Sequence, residues 1–397
     1  MDTPHDRESL EEIRDALKNN NPALAIAKIQ EYLDKQNKTP LNIAITGECG
    51  SGKSTFVNSF RGVDNKAEGA APTGCVETTS VVTPYAHPNY PNVTLWDLPG
   101  VGTTKFPADQ YLNHVGFETF DFFIIISATR FTENDVKLAR EIKRMGKKFY
   151  FVRSKIDSDL YNERRSQREF NETETKELIR DNCIQGLQEQ GIQSPQVFLV
   201  SSFELHLHDF SLLHETLERE LPEHKRNALL FAMPNISQQI INKKKEAFHD
   251  KIKYVATLSA AAAAVPVPGL SIAVDVALLA GVVTQYIFGF GLDIPSLKRL
   301  AGNTGVPFND LMSVITSPLA ATKITPALII KVLTQGASTA ALMVAEEGSR
   351  FIPIIGIPAA MALSFTTTYR ALNGFLNKLA DDAQKVFEKA LRRNTTD

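Results

Sequence analysis

Cysteine is scarce in this sequence: three among 397 residues, at Cys49, Cys75 and Cys183. Their spacing suits neither a disulfide framework nor a metal knuckle, which points to a reducing compartment. An excess of one charge is also missing. Lys and Arg number 43 against 45 Asp and Glu, and a net charge of −2 gives a nucleic-acid partner no electrostatic footing. The opening residues lack a basic start followed by an apolar core, so no secretory signal is expected. Asp2 stands where myristoylation needs glycine, and Arg393–Asp397 offers no cysteine for prenylation. The expectation is a cytoplasmic protein whose membrane contact, peripheral in kind, comes from its own folded surface.

What is present is ordinary for a folded protein: 43% hydrophobic and 22% charged residues. A chain of 397 residues is long for one hydrophobic core, so two packed units are expected. Residues 8–36 read as helix, with Leu10, Ile13 and Leu17 on one face and a break near Asn19–Pro22. From Leu41 the pattern changes. Short apolar runs at Leu41–Thr46, Val93–Asp97, Phe122–Ala128, Lys148–Arg153 and Val197–Ser201 alternate with helical stretches at Ser54–Phe60, Asp135–Met145 and Glu174–Gln190. Such alternation predicts an α/β domain with a mainly parallel sheet covered on both faces. Beyond Pro222 strand signals vanish and Ala-rich helical sequence runs to the end. The predicted organisation is an N-terminal helical segment at 1–36, an α/β domain at 37–222 and a helical region at 223–397. The two outer segments would pack as one discontinuous helical domain.

Gly47-Glu48-Cys49-Gly50-Ser51-Gly52-Lys53-Ser54 fits the GxxxxGK[ST] pattern, between an apolar strand and a helix. The glycines let the backbone wrap a phosphate with its N–H groups turned inward. Glu48, Gly50, Ser51, Gly52, Lys53 and Ser54 are therefore the expected phosphate-binding set. Lys53 would reach the β- and γ-phosphates, and the Ser54 hydroxyl would ligate Mg²⁺. The helix N-terminus adds partial positive charge. Asp97-Leu98-Pro99-Gly100 then ends a strand as a DxxG element, with Asp97 holding Mg²⁺ through water and the Gly100 N–H sensing the γ-phosphate.

Ser154-Lys155-Ile156-Asp157 follows a strand and reads as a variant of [NT]KxD. A carboxylate at 157 accepts from the guanine N1–H and 2-amino group, whereas adenine would leave it unpaired. Lys155 would lie across the base and brace the phosphate loop. Ser201-Ser202, after the strand at 197, is expected to form a further wall of the base pocket. Switch I falls between Arg61 and Pro84, where Thr73, Thr78 or Thr79 can give the second Mg²⁺ hydroxyl, and Glu77 can position water. Val101 follows Gly100, where Ras-like enzymes carry a water-orienting glutamine, so the monomer is expected to hydrolyse slowly unless Glu77 or a second molecule positions the water.

These motifs resemble the interferon-inducible immunity-related GTPases. The likeness is carried by Gly47–Asn58, Glu68–Gly74, Asn92–Gly100 and Asp121–Phe131, and it extends over nearly the whole chain. It implies binding of GTP and GDP, self-assembly when GTP-loaded, faster hydrolysis in the assembly, and defence at membranes of pathogen-containing vacuoles. Matched residue by residue, it implies phosphate roles for Gly50, Gly52, Lys53, Ser54 and Thr55. It implies switch I roles for Thr73 and Gly74, and base recognition by Lys155 and Asp157. Lys53 aligns the chain with the effector subgroup. Stretches at 255–292, charged only at Asp275, and at 351–369, free of charge, are expected chiefly as buried helical core, with shallow membrane contact as the second reading. The basic run Lys243, Lys244, Lys245, Lys251 and Lys253 reads equally as a solvated helix face or as a lipid-facing cluster.

Overall fold

The computed structural model describes residues 39–74, 79, 81–101, 116–128, 132–263, 270–343 and 359–391, with five isolated positions before 39. Two compact units result: Thr39–Ile236, and Ser237–Asp397 grouped with Met1–Lys38. The helices expected over 8–36 lie outside the described residues apart from those five positions.

The first unit is built on a six-stranded sheet in the order β2-β3-β1-β4-β5-β6. Its strands are β1 (Leu41–Thr46), β2 (Thr83–Ala86), β3 (Val93–Asp97), β4 (Phe122–Ser127), β5 (Phe149–Arg153) and β6 (Val197–Leu199). All neighbours run parallel except β2, which pairs antiparallel with β3 at one edge. That edge strand, Thr-Pro-Tyr-Ala, carries no hydrophobic run, and its proline is tolerated because an edge residue can leave its ladder position unpaired. This is why the pattern of apolar residues did not reveal it. Every residue of β4 is buried, as a central strand covered on both faces requires.

One face of the sheet packs Ala44, Phe123, Ile125, Phe151 and Leu199 against α2 (Glu133–Arg144), α3 (Ile156–Ser166) and α4 (Glu172–Glu189). On α1 (Lys53–Phe60) and α5 (Phe210–Glu220), the rings of Phe56, Phe60 and Phe210 meet with centroids 6.1 to 6.2 Å apart. A further helix, α6 (Glu223–Ala232), belongs to this unit, so its boundary lies at Ile236 rather than at Pro222. Leu229, Phe231 and Ala232 are buried, Phe231 stacks on Tyr90, and Lys225 pairs with Asp121. The composition shift at 222 marks where strands stop. It does not mark where the domain stops, because α6 covers apolar surface left over by β1 and β3.

The described part of the second unit is helical. Its longest elements are α7 (Gln238–Ala263), α8 (Leu270–Gly289) and α12 (Ala359–Leu391), with α9 (Ile294–Thr304), α10 (Phe308–Met312) and α11 (Pro326–Met343) between the last two. The final helix, α12, buries Leu376, Leu379, Ala383 and Val386 along one stripe. In the same helix Asp382, fully buried, accepts hydrogen bonds from Thr316 N, Thr316 Oγ1 and Ser317 N at 2.7 to 2.9 Å. Lys244 corrects the reading of the basic run as an outward cluster. It is 1% exposed and donates to the Gly289 carbonyl at 2.8 Å, and burial pushes its ammonium down to about 7. Of the apolar stretches at 255–292 and 351–369, residues 264–269 and 351–358 fall outside the described residues.

Candidate functional site

The chain leaves β1 through Gly47, whose φ of 140° places its α-carbon against the sheet. A side chain there would put its Cβ 2.1 Å from the Ile126 carbonyl oxygen, so only glycine fits. Gly50 and Gly52 also hold positive φ, and Gly52 sits at the N-cap of α1. The loop therefore wraps back over the N-terminus of an eight-residue helix, with that helix's first amide groups aimed into the concavity. Lys53 is 6% exposed, and its ammonium donates to the carbonyls of Glu48 at 2.8 Å and Gly47 at 3.2 Å.

Asp97 and Gly100 arrive from the adjacent strand β3. Val101 N donates to the Gly47 carbonyl at 3.2 Å, and a Cβ on Gly100 would lie 2.9 Å from Cys49 N. Glycine at 100 thus lets the two phosphate-facing loops touch. Ser54 Oγ donates to Asp97 Oδ2 at 2.6 Å, and Thr79 Oγ1 donates to the same oxygen at 3.0 Å. Of the two described switch I threonines, Thr79 is gathered here, whereas Thr73 and Gly74 are exposed. Among the described hydroxyls expected for Mg²⁺ in switch I, the one beside Ser54 and Asp97 is that of Thr79. Thr78 and Glu77 lie outside the described residues.

Asp97 is fully buried, and among the described residues its Oδ1 has no hydrogen-bond partner. Burial raises its carboxyl above the usual range, opposed by the Ser54 hydrogen bond, the nearby Lys53 charge and Thr79. One carboxylate with a spare buried oxygen beside two hydroxyls is a hard-oxygen donor set that fits Mg²⁺. Held there, the ion would supply charge neutralisation at the phosphates. Ser54, Thr79 and Asp97 would orient it.

The base side is assembled across the sheet. Ser154 is 2% exposed and donates its hydroxyl to the Ser51 carbonyl at 2.7 Å, clasping the phosphate loop from beneath. Serine therefore does the anchoring expected of Asn or Thr at this place. Lys155 adopts a left-handed backbone with φ 56°, which turns its ammonium onto the Gly50 carbonyl at 2.8 Å. Its stem is left lying along the loop as a flat apolar wall. Asp157, in the first turn of α3, keeps Oδ1 buried and without a hydrogen-bond partner. Ser201 is fully buried, its hydroxyl accepting from Phe203 N at 3.3 Å, while the Ser202 carbonyl accepts from Ser59 Oγ of α1 at 2.6 Å. The β6 loop is thereby tied to the phosphate-binding helix. Thr55 lies half-buried one residue beyond Ser54.

The Glu48 side chain is turned out of the phosphate loop. Its carboxylate accepts from Asn134 Nδ2 at 2.8 Å and Thr132 Oγ1 at 3.0 Å, so the side chain faces the start of α2 instead of a phosphate. Behind it stands Asp135, fully buried, accepting from Ser127 Oγ and from Thr132 N in a reciprocal capping box. Sequence reasoning missed this network, although Thr132 followed three residues later by Asp135 is a helix-start signal.

Burial pushes the Asp135 carboxyl up from 3.8 to about 6, further raised by Glu48 and opposed by its hydrogen bonds to Thr132 and Ser127. Because the folded value exceeds the unfolded one, the native state binds more protons between these pH values. The contribution to stability is complete below the unfolded value and is lost as pH rises through about 6. Asp135→Asn is expected to flatten this slope, worth up to about 3 kcal/mol. Urea midpoints of both proteins from pH 4.5 to 7 measure it; parallel slopes would show that Asp135 is already ionised in that range.

Known proteins share this sequence pattern. A family model described as interferon-inducible GTPase matches residues 6–390. The chain is 42% identical over 391 residues to interferon-inducible GTPase 5 of Rattus norvegicus, covering 98% of this chain and 84% of the relative. It is 36% identical over 385 residues to interferon-gamma-inducible GTPase 10 of Mus musculus, covering 96% and 89%. To the T-cell-specific guanine nucleotide triphosphate-binding protein 2 of Mus musculus it is 44% identical over 287 residues, covering 72% and 69%.

Proposed function

This chain belongs to the interferon-inducible GTPase family, and we propose that it couples hydrolysis of GTP to GDP and phosphate with GTP-dependent self-assembly at intracellular membranes, in interferon-linked cell-autonomous immunity. The observation that carries the coupling is Val101. It occupies the place of a water-orienting glutamine, yet it is 2% exposed, packed in the core beside Leu98 and Phe123, and bonded through its N–H to Gly47. Nothing at that position reaches a water. A second copy of the chain is the natural source of the missing group, since assembly then switches on a site that is otherwise slow.

What supports membrane contact is the helical unit's apolar surface. Within Leu278–Thr304 an 18-residue window has a mean hydropathy of 1.4 and is 39% buried, and Phe288, Ile294 and Ile330 are exposed. The stretch turns at Gly291, φ 62°, and Asp293 caps the next helix, which suits peripheral contact better than a continuous span.

Turnover per molecule, followed over a range of protein concentrations with and without liposomes, tests the reading. A rate per molecule that climbs with concentration is expected. A flat, negligible rate would favour a nucleotide-gated scaffold, the second reading that Val101 allows.

A further inference from the structure

The loop that follows β6 brings a second carboxylate to the base pocket. Val200 N donates to the Arg153 carbonyl at 2.9 Å, so Ser201 and the residues after it emerge beside Ser154–Asp157. Leu207 N donates to the Glu204 carbonyl at 2.9 Å and closes a turn at Glu204 in this same loop, four residues after Val200, whose carbonyl accepts from Ile156 N at 3.5 Å. The Glu204 side chain is half-buried. Among the described residues it accepts no hydrogen bond and joins no ion pair, and burial raises its carboxyl, with the charge of Asp157 adding to the rise. The loop and the first turn of α3 thus carry one acceptor each, Asp157 Oδ1 buried and, among the described residues, unsatisfied, and the half-buried Glu204 carboxylate. Such a pair is unfavourable until a ligand rich in N–H donors arrives.

Guanine is such a ligand, and its hydrogens can be counted. Asp157 takes N1–H and one hydrogen of the 2-amino group, which leaves the second amino hydrogen without an acceptor. We propose that Glu204 accepts this second 2-amino hydrogen and is a specificity-determining residue for guanine over bases that lack the amino group. The proposal rests on the guanine reading of the site and goes beyond it, since Asp157 alone leaves that hydrogen to water.

Hypoxanthine, which keeps N1–H and lacks the 2-amino group, separates the two carboxylates. In titration calorimetry on the full chain, wild type is expected to bind GDP more tightly than IDP. Glu204→Ala should weaken GDP by about tenfold while leaving IDP within about twofold. Glu204→Gln, whose amide oxygen still accepts, should recover part of the loss. Equal weakening of GDP and IDP would reduce Glu204 to a prop for the loop, and unchanged GDP affinity would remove it from the pocket; either overturns the proposal. Should the wild-type chain bind neither nucleotide, the guanine reading itself fails, and this inference falls with it.

Discussion

Lys53→Ala is expected to weaken GDP and GTP roughly 100- to 1,000-fold and to abolish measurable turnover, because a charge-assisted contact to phosphate is worth several kcal/mol where the ammonium is buried. Lys53 is 6% exposed and already bonded to two carbonyls of the loop. Its removal therefore deletes the cation and also unties the loop from its helix. The second effect is conformational and smaller, and Lys53→Met, which keeps the aliphatic stem, separates the two. If charge dominates, both variants lose affinity alike. Equilibrium binding of a fluorescent GDP, with circular dichroism to verify folding, decides it; affinity retained in Lys53→Ala would remove the phosphate site from this loop.

A change of base preference is the second large effect. Asp157→Asn exchanges two acceptors for one acceptor and one donor. Guanine then presents its 2-amino group to an amide N–H₂, donor against donor, in a position where Oδ1 is shut off from water. Affinity for GTP is expected to fall about 100-fold or more. Xanthine carries a carbonyl at that position and complements the amide, so XTP binding should rise. Competition between GTP and XTP on both proteins reads the switch. A variant that keeps its preference for GTP would place the base elsewhere. The substitution is nearly isosteric and leaves α3 intact, so loss of folding is not the expected confounder.

Much of this site is legible in the linear sequence because the relevant chemistry sits in contiguous residues whose backbone demands are local. Gly47, Gly50 and Gly52 adopt positive φ, and a turn of that kind between an apolar strand and a helix is written into the sequence by glycine alone. The same holds for Asp97 to Gly100 at the end of β3 and for Ser154 to Asp157 after β5. The parallel sheet follows from strands alternating with helices, and β4, apolar throughout, could only be central.

Other features depend on parts of the chain that meet only after folding. The choice of Thr79 over Thr73 is made where switch I returns to Asp97, 18 residues on in sequence. Glu48 turns to Asn134 across 86 residues, and Ser154 reaches Ser51 across 103. No local preference encodes such distances. Lys244 reads as one of a basic run until a helix C-terminus is brought against it, and α6 reads as the start of the helical region until it is laid on the sheet. The sequence by itself determined which ligand chemistry this protein has, since backbone sterics and side-chain charge act over a few residues. Tertiary structure decided which of several chemically equivalent side chains performs each task, because burial and hydrogen bonding choose among them only when the chain has closed on itself.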